Sequence, residues 1–135
     1  MAEAPAPRTR VVAAVIWDGP RLLLTQRPPG GPLGLQWEMP GGKLESGESP
    51  HEALVRELRE ELGVGATAHE TLAVRTHDYA HGTRVEVRFI RCTLDSFAFT
   101  PSGAVHAFRW LEPREVRVHE VLEGDRDFLR ELGAV

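Results

Sequence analysis

Three glutamates, Glu57, Glu60 and Glu61, stand at i, i+3 and i+4 within "SPHEALVRELREEL", a spacing that sets their carboxylates on one face of an α-helix. Like charges so placed repel by about a few tenths of a kcal/mol per pair on an exposed surface. In a partly desolvated cleft the cost rises, and one carboxylate tends to hold a proton. A divalent cation removes the conflict, and hard Mg²⁺ or Mn²⁺ prefers carboxylate, carbonyl and water oxygens. The plainer alternative is a solvated acidic face. The residues just upstream favour the cation. Gly41-Gly42 follows a short strand pattern and lets backbone approach a ligand closely, and Lys43 adds a charge suited to phosphate. Such a set suits phosphate chemistry, in which metal ions neutralise phosphate charge and activate a water.

A helix must carry these carboxylates, and its limits are well marked. Ser49 is the N-cap, Pro50 fits the first helical position, and Glu52 completes a capping box with Ser49. Gly63 followed by Val64 stops it, so the spacing predicts a helix over 50–62. Leu54, Val55, Leu58 and Leu62 share the core face, while Ala53, one turn before Glu57, leaves room for something to approach. Arg56 lies i, i+4 from both Glu52 and Glu60.

Strand patterns surround the helix. "RVVAAVIW" (10–17), the turn Asp18-Gly19-Pro20 and "RLLLTQR" (21–27) predict a hairpin. "PPGGPLGL" (28–35) is a broken loop, and "QWEMPGGK" (36–43) a short strand entering a glycine turn. Further strands are expected over 71–77, 83–94 and 104–111, with Val85, Val87 and Phe89 facing inward, and a last helix over 124–132. Trp17, Trp37 and Trp110 read as core. This order implies a mixed sheet with packed helices, α/β or α+β in class.

Length and composition narrow the function. The 135 residues suit one domain, expected over 10–135, behind a short Ala/Pro-rich disordered arm over 1–9. A net charge of -4 with no basic stripe argues against a nucleic-acid polymer as partner. The lone Cys92 excludes an internal disulfide, reads as a buried bystander thiol, and points to a reducing, cytoplasmic setting. No apolar run reaches membrane-spanning length.

The acidic segment closely resembles the Nudix box, G-x5-E-x7-R-E-U-x-E-E-x-G-U with U a bulky aliphatic residue. Gly42, Glu48, Arg56, Glu57, Leu58, Glu60, Glu61, Gly63 and Val64 fill its nine specified positions. A chance match at any one start is on the order of one in ten million, given average residue usage. "WEMPGGKLESGE" and "LLLTQR" look like the MutT-type residues that precede the box. The resemblance implies an α/β/α sandwich around a mixed β-sheet and Mg²⁺-dependent hydrolysis, with Mn²⁺ as a substitute. The implied substrate is a nucleoside triphosphate, cleaved to the monophosphate and pyrophosphate. Dinucleoside polyphosphates, ADP-ribose and other nucleoside diphosphate derivatives are the alternatives, and a non-catalytic nucleotide-binding domain is a third reading. By position, the Gly41 carbonyl, Glu57, Glu60 and Glu61 resemble the metal ligands. Arg56 resembles the residue that orients the box glutamates, with Glu48 as its partner, and Glu57 or Glu60 helps activate the water. Lys43, Arg27 and Met39 would meet substrate, while Gly42 and Gly63 support the site. The family implies a monomer or homodimer.

Two positions depart from the MutT pattern. The loop before Trp110 holds no carboxylate between Asp95 and Glu112; His106 could replace it as base or outer partner, the alternative being a plain surface or core histidine. The asparagine by which MutT-like enzymes read the base has no counterpart in "VRVHEVLEGD".

Overall fold

The computed structural model describes residues 7–135. Its elements are β1 (Thr9–Val15), β2 (Trp17–Asp18), β3 (Arg21–Gln26), β4 (Trp37–Glu38), β5 (Gly41–Lys43), α1 (Pro50–Leu62), β6 (Ala66–Asp78), β7 (Arg84–Leu94), β8 (Ala107–Leu111) and α2 (Glu123–Leu132). Two short 3₁₀ turns, Pro113–Glu115 and Val118–Glu120, precede α2.

A strand covered on both faces carries a continuous apolar run, and β1 is such a strand. Ala13 and Val15 turn toward Phe128 and Leu129 of α2, whereas Val12 and Ala14 turn toward Leu54, Leu58 and Leu62 of α1. The two helices therefore cover opposite faces of one sheet, ordered β5-β1-β7-β6. In it β1 runs parallel to β7, and β5 and β6 are antiparallel additions. A second sheet is built on β3, which pairs antiparallel with β2, β4 and β8. This is the expected α/β/α sandwich around a mixed sheet. The fully buried Leu54, Leu58 and Leu62 each contribute roughly 1.5–3 kcal/mol toward holding α1 in place.

Several expectations need correction. The hairpin over 10–27 survives only at its tip, where Trp17 and Asp18 pair with Leu22 and Arg21. Upstream of Ile16 the chain enters the other sheet, because an apolar run buried on both faces is worth more between β5 and β7 than on a hairpin edge. Gly41-Gly42 is strand, not turn, since it lies flat against Val12 and Ala13 of β1. On α1, Ala53 rather than Val55 is buried, so Ala53 is core and leaves no opening. Trp17 is 36% exposed on its two-residue strand. Trp37 is buried, and Trp110 is half-buried against the α1 side of the core. The arm expected over 1–9 falls outside the described residues for its first six positions, but Thr9 opens β1 and Arg8 pairs with Asp78 at 2.7 Å. Cys92 is buried as expected, and burial pushes its thiol up to about 12.

The tightest backbone approach is at Gly41, where a Cβ would stand 1.9 Å from the Val12 carbonyl oxygen and 3.0 Å from Ala13 Cα. Neither atom can retreat without breaking the β1–β5 pairing. Gly41→Ala is expected to destabilise the fold by about 3 kcal/mol, measured as a lower urea midpoint at unchanged slope; a midpoint equal to wild type would refute the pairing.

Candidate active site

The caps that fix α1 also fix the site. Ser49 accepts from the Glu52 amide at 3.1 Å, and the Glu52 carboxylate accepts from the Ser49 amide at 3.0 Å, closing the capping box. Gly63 adopts a left-handed conformation, φ 71°, which a glycine takes without the Cβ clash of other residues. Two carbonyls at the end of the helix are met by a loop: Ser102 donates to Glu61 O and Thr100 to Leu62 O, each at 2.9 Å.

Arg56 gathers the carboxylates. Its Nε and Nη2 grip Glu48 at 2.7 and 2.9 Å in the two-point geometry that suits a guanidinium and a carboxylate. Nη1 donates to Glu57 at 3.0 Å and to Glu60 at 3.2 Å, and Nη2 also reaches the Lys43 carbonyl at 3.0 Å. The hydrogen bonds to Glu48 push the guanidinium pKa above its ordinary value. They also hold the Glu48 carboxyl below its own.

The Glu57 carboxyl rests against β5. A Cβ on Gly42 would lie 2.5 Å from its carboxyl carbon, so the space that the sequence suggested at Ala53 is supplied by Gly42. Burial raises the Glu57 pKa, opposed by its hydrogen bond to Arg56. Burial also drives Glu61 up to about 9, with the charges of Glu38 and Glu57 adding to the effect and the Gly41 amide working against it. In the cation-free protein this shift favours the protonated form of Glu61 beside Glu57. Glu60 remains 57% exposed. Among the described residues no three His, Cys, Asp or Glu side chains form a ready coordination cluster. The donor set nevertheless fits a divalent cation, because two half-buried carboxyls side by side, both with raised pKa values, call for the positive charge that a hard cation supplies.

Gly41, Gly42, Lys43 and Glu61 open onto a cavity of about 660 Å³. Arg27 and Met39, two more residues singled out from sequence, line the same cavity. Arg27 is paired with Glu38 at 3.2 Å, and Met39 is buried. His106 is exposed and absent from the lining; its amide donates to Gln26 O, which leaves its ring outside the site. The loop reaches the cavity through Ala104 and Val105 instead.

Two acids in the cavity went unnoticed in the sequence. Glu38 lines it beside Arg27, and burial raises its pKa. Asp125, buried, accepts from the Met39 amide at 3.0 Å, and burial followed by the Glu38 charge pushes it up to about 8. A signal for Asp125 existed: it precedes Phe128 and Leu129 by three and four residues, so an acid stands on the apolar face of α2.

The NUDIX domain profile matches residues 7–132. A CTP pyrophosphohydrolase of Escherichia coli (strain K12) is 36% identical over 129 residues, covering 93% of this chain and 91% of that protein. The nucleoside triphosphatase NudI of Escherichia coli (strain SE11) is 30% identical over 136 residues, covering 93% of this chain and 96% of its own. The crystal structure of a MutT protein from Methanosarcina mazei Go1 superposes with a TM-score of 0.85, covering 96% of each chain at 19% identity, a likeness of fold. With the box residues gathered by Arg56 at the mouth of a cavity, the chain belongs to the NUDIX domain family and is a Nudix hydrolase.

Proposed function

We propose that this enzyme is a divalent-cation-dependent pyrophosphohydrolase that converts a nucleoside triphosphate to the monophosphate and pyrophosphate. The observation that carries the proposal is geometric: Glu61, the glycine strand and Lys43 line one cavity, while Arg56 holds Glu60 and Glu57, the latter resting on Gly42. A volume of about 660 Å³ falls in the range of small-molecule sites. Two relatives named for action on nucleoside triphosphates point to the same substrate class.

The Gly41 carbonyl, Glu57, Glu60 and Glu61 would hold Mg²⁺, or Mn²⁺ in its place. Bound there, the cation neutralises phosphate oxygens and lowers the pKa of a water. The chain's own residues do the rest. Arg56 fixes Glu57 and Glu60, so that one of them is positioned to take the proton of the attacking water. Lys43 and Arg27 meet phosphate oxygens, with Arg27 exchanging Glu38 for substrate. Met39 packs against the nucleoside, and Asp125, held by the Met39 amide, presents its carboxyl to it.

A panel of (d)NTPs, oxidised dGTP, ADP-ribose and diadenosine polyphosphates with Mg²⁺ tests the reaction. Monophosphate and pyrophosphate from a (d)NTP are expected, and turnover confined to ADP-ribose or the diadenosine compounds would overturn the substrate class. Glu60→Gln is expected to lower kcat by about a hundredfold or more at unchanged fold; near-wild-type turnover would sink the metal-site assignment.

Proton linkage gives an independent check. The Glu61 pKa is raised in the folded, cation-free protein, so the native state holds an extra proton between the ordinary value of 4.5 and about 9. Stability then falls as pH rises through that window, and a cation that displaces the proton binds more tightly as pH rises. Apparent Mg²⁺ affinity should strengthen toward about tenfold per pH unit below pH ~9. Calorimetry at several pH values reads this, and a flat profile would contradict it.

On the α2 side of the cavity, Asp125→Asn keeps the shape but replaces the carboxyl with an amide. It is expected to change the ranking of bases by about tenfold in kcat/KM. An unchanged ranking would remove Asp125 from base recognition.

A further inference from the structure

Beyond Asp95 the loop between β7 and β8 lacks the carboxylate of the MutT pattern, yet it touches the site at three points. Ser102 and Thr100 donate to the Glu61 and Leu62 carbonyls at 2.9 Å, and Gly63 packs on Thr100. Ala104 and Val105 line the cavity. His106 donates to Gln26 O at 2.8 Å, next to Arg27. The loop thus joins the end of the helix that bears Glu61 to the strand that ends just before Arg27.

What secures the loop is a group of four rings. Phe97 and Phe99 come from the loop, Phe108 and Trp110 from β8. Phe97 lies 4.8 Å from Trp110, while Phe99 lies 5.0 Å edge-on from Phe108 and 6.2 Å from Trp110, stacked. Aromatic pairs at such separations contribute about 0.5–1.5 kcal/mol beyond burial. Phe97 and Phe108 are 44% and 40% exposed, and Phe99 is the half-buried centre. Between Asp95, whose amide bonds Gly65 O, and Thr100, this stacking is the loop's attachment to the second sheet.

We propose that Phe99, through this aromatic clasp, is a positioning residue for Glu61: it holds the Ser102 and Thr100 amides on the end of α1 and so sets the affinity of the site for a divalent cation. The inference rests on the reading of Glu61 as a metal ligand. The chain of contacts runs ring to loop, loop amide to Glu61 carbonyl, and backbone to carboxyl. Loss of the ring leaves the helix end to fray, because its terminal carbonyls lose their partners. Outer partners of this kind typically change metal affinity by about 10- to 100-fold.

The test is Mn²⁺ binding to the full chain, followed by electron paramagnetic resonance without substrate. Phe99→Ala should weaken Mn²⁺ binding about tenfold, and Phe99→Tyr, which keeps the ring, should restore it. Phe108→Ala, at an exposed edge of the clasp, should show a smaller weakening in the same direction, and it decides the matter if Phe99→Ala fails to fold. Mn²⁺ affinity within twofold of wild type in a folded Phe99→Ala, or in Phe108→Ala where the former is unfolded, would overturn the proposal. Wild-type protein that binds no Mn²⁺ would instead overturn the metal-site reading on which it rests.

Discussion

One guanidinium holds the site together. Arg56 binds Glu48, Glu57, Glu60 and the Lys43 carbonyl, and so ties α1 to the segment that enters it and to the glycine strand. Without a cation at this position, three neighbouring carboxylates on one helix would repel, and the face would turn outward or protonate throughout. Charge is thus divided. Arg56 serves Glu48, Glu57 and Glu60, while Glu61, its pKa raised by burial and by the charges of Glu38 and Glu57, is left short of positive charge. That residual deficit faces the cavity.

The rest of the structure serves this arrangement. The sheet that carries β5 is packed on both faces, so the glycine strand has little freedom to move away from Glu57. The capping box fixes where α1 begins and the left-handed Gly63 where it ends. Asp125 reaches the cavity from the opposite helix, anchored by the Met39 amide, so both layers of the sandwich contribute to one site.

Local chemistry was legible and long-range placement was not. Ser49, Pro50, Glu52 and Gly63 act within a few residues of themselves, and the limits of α1 follow from them. The box residues could be read because their spacing is a helical one. The pairing of β1 was misjudged, since an apolar run beside a turn looks alike whether it folds back locally or joins a distant strand. Gly41-Gly42 looked like a turn because glycine is permissive, whereas here it is required by close packing. Trp17 reads as core in the sequence, but a two-residue strand offers it little to pack against. Glu38 and Asp125 were invisible as site residues because their meaning comes from a cavity between elements far apart in the chain.

The parallel pairing of β1 with β7 joins Thr9 to Val85 and Val15 to Arg91, so the strand that receives β5 has its other neighbour more than half a chain length away. Closing so long a loop costs entropy before any contact rewards it, and such pairings form slowly. Helix α1, with its own caps, has local reasons to form early. The glycine strand has none until both edges of β1 are occupied. During synthesis, then, the whole acidic motif leaves the ribosome well before β7, the strand that completes the sheet beneath it, and a nascent chain stopped short of β7 would carry every residue of the box without its finished support.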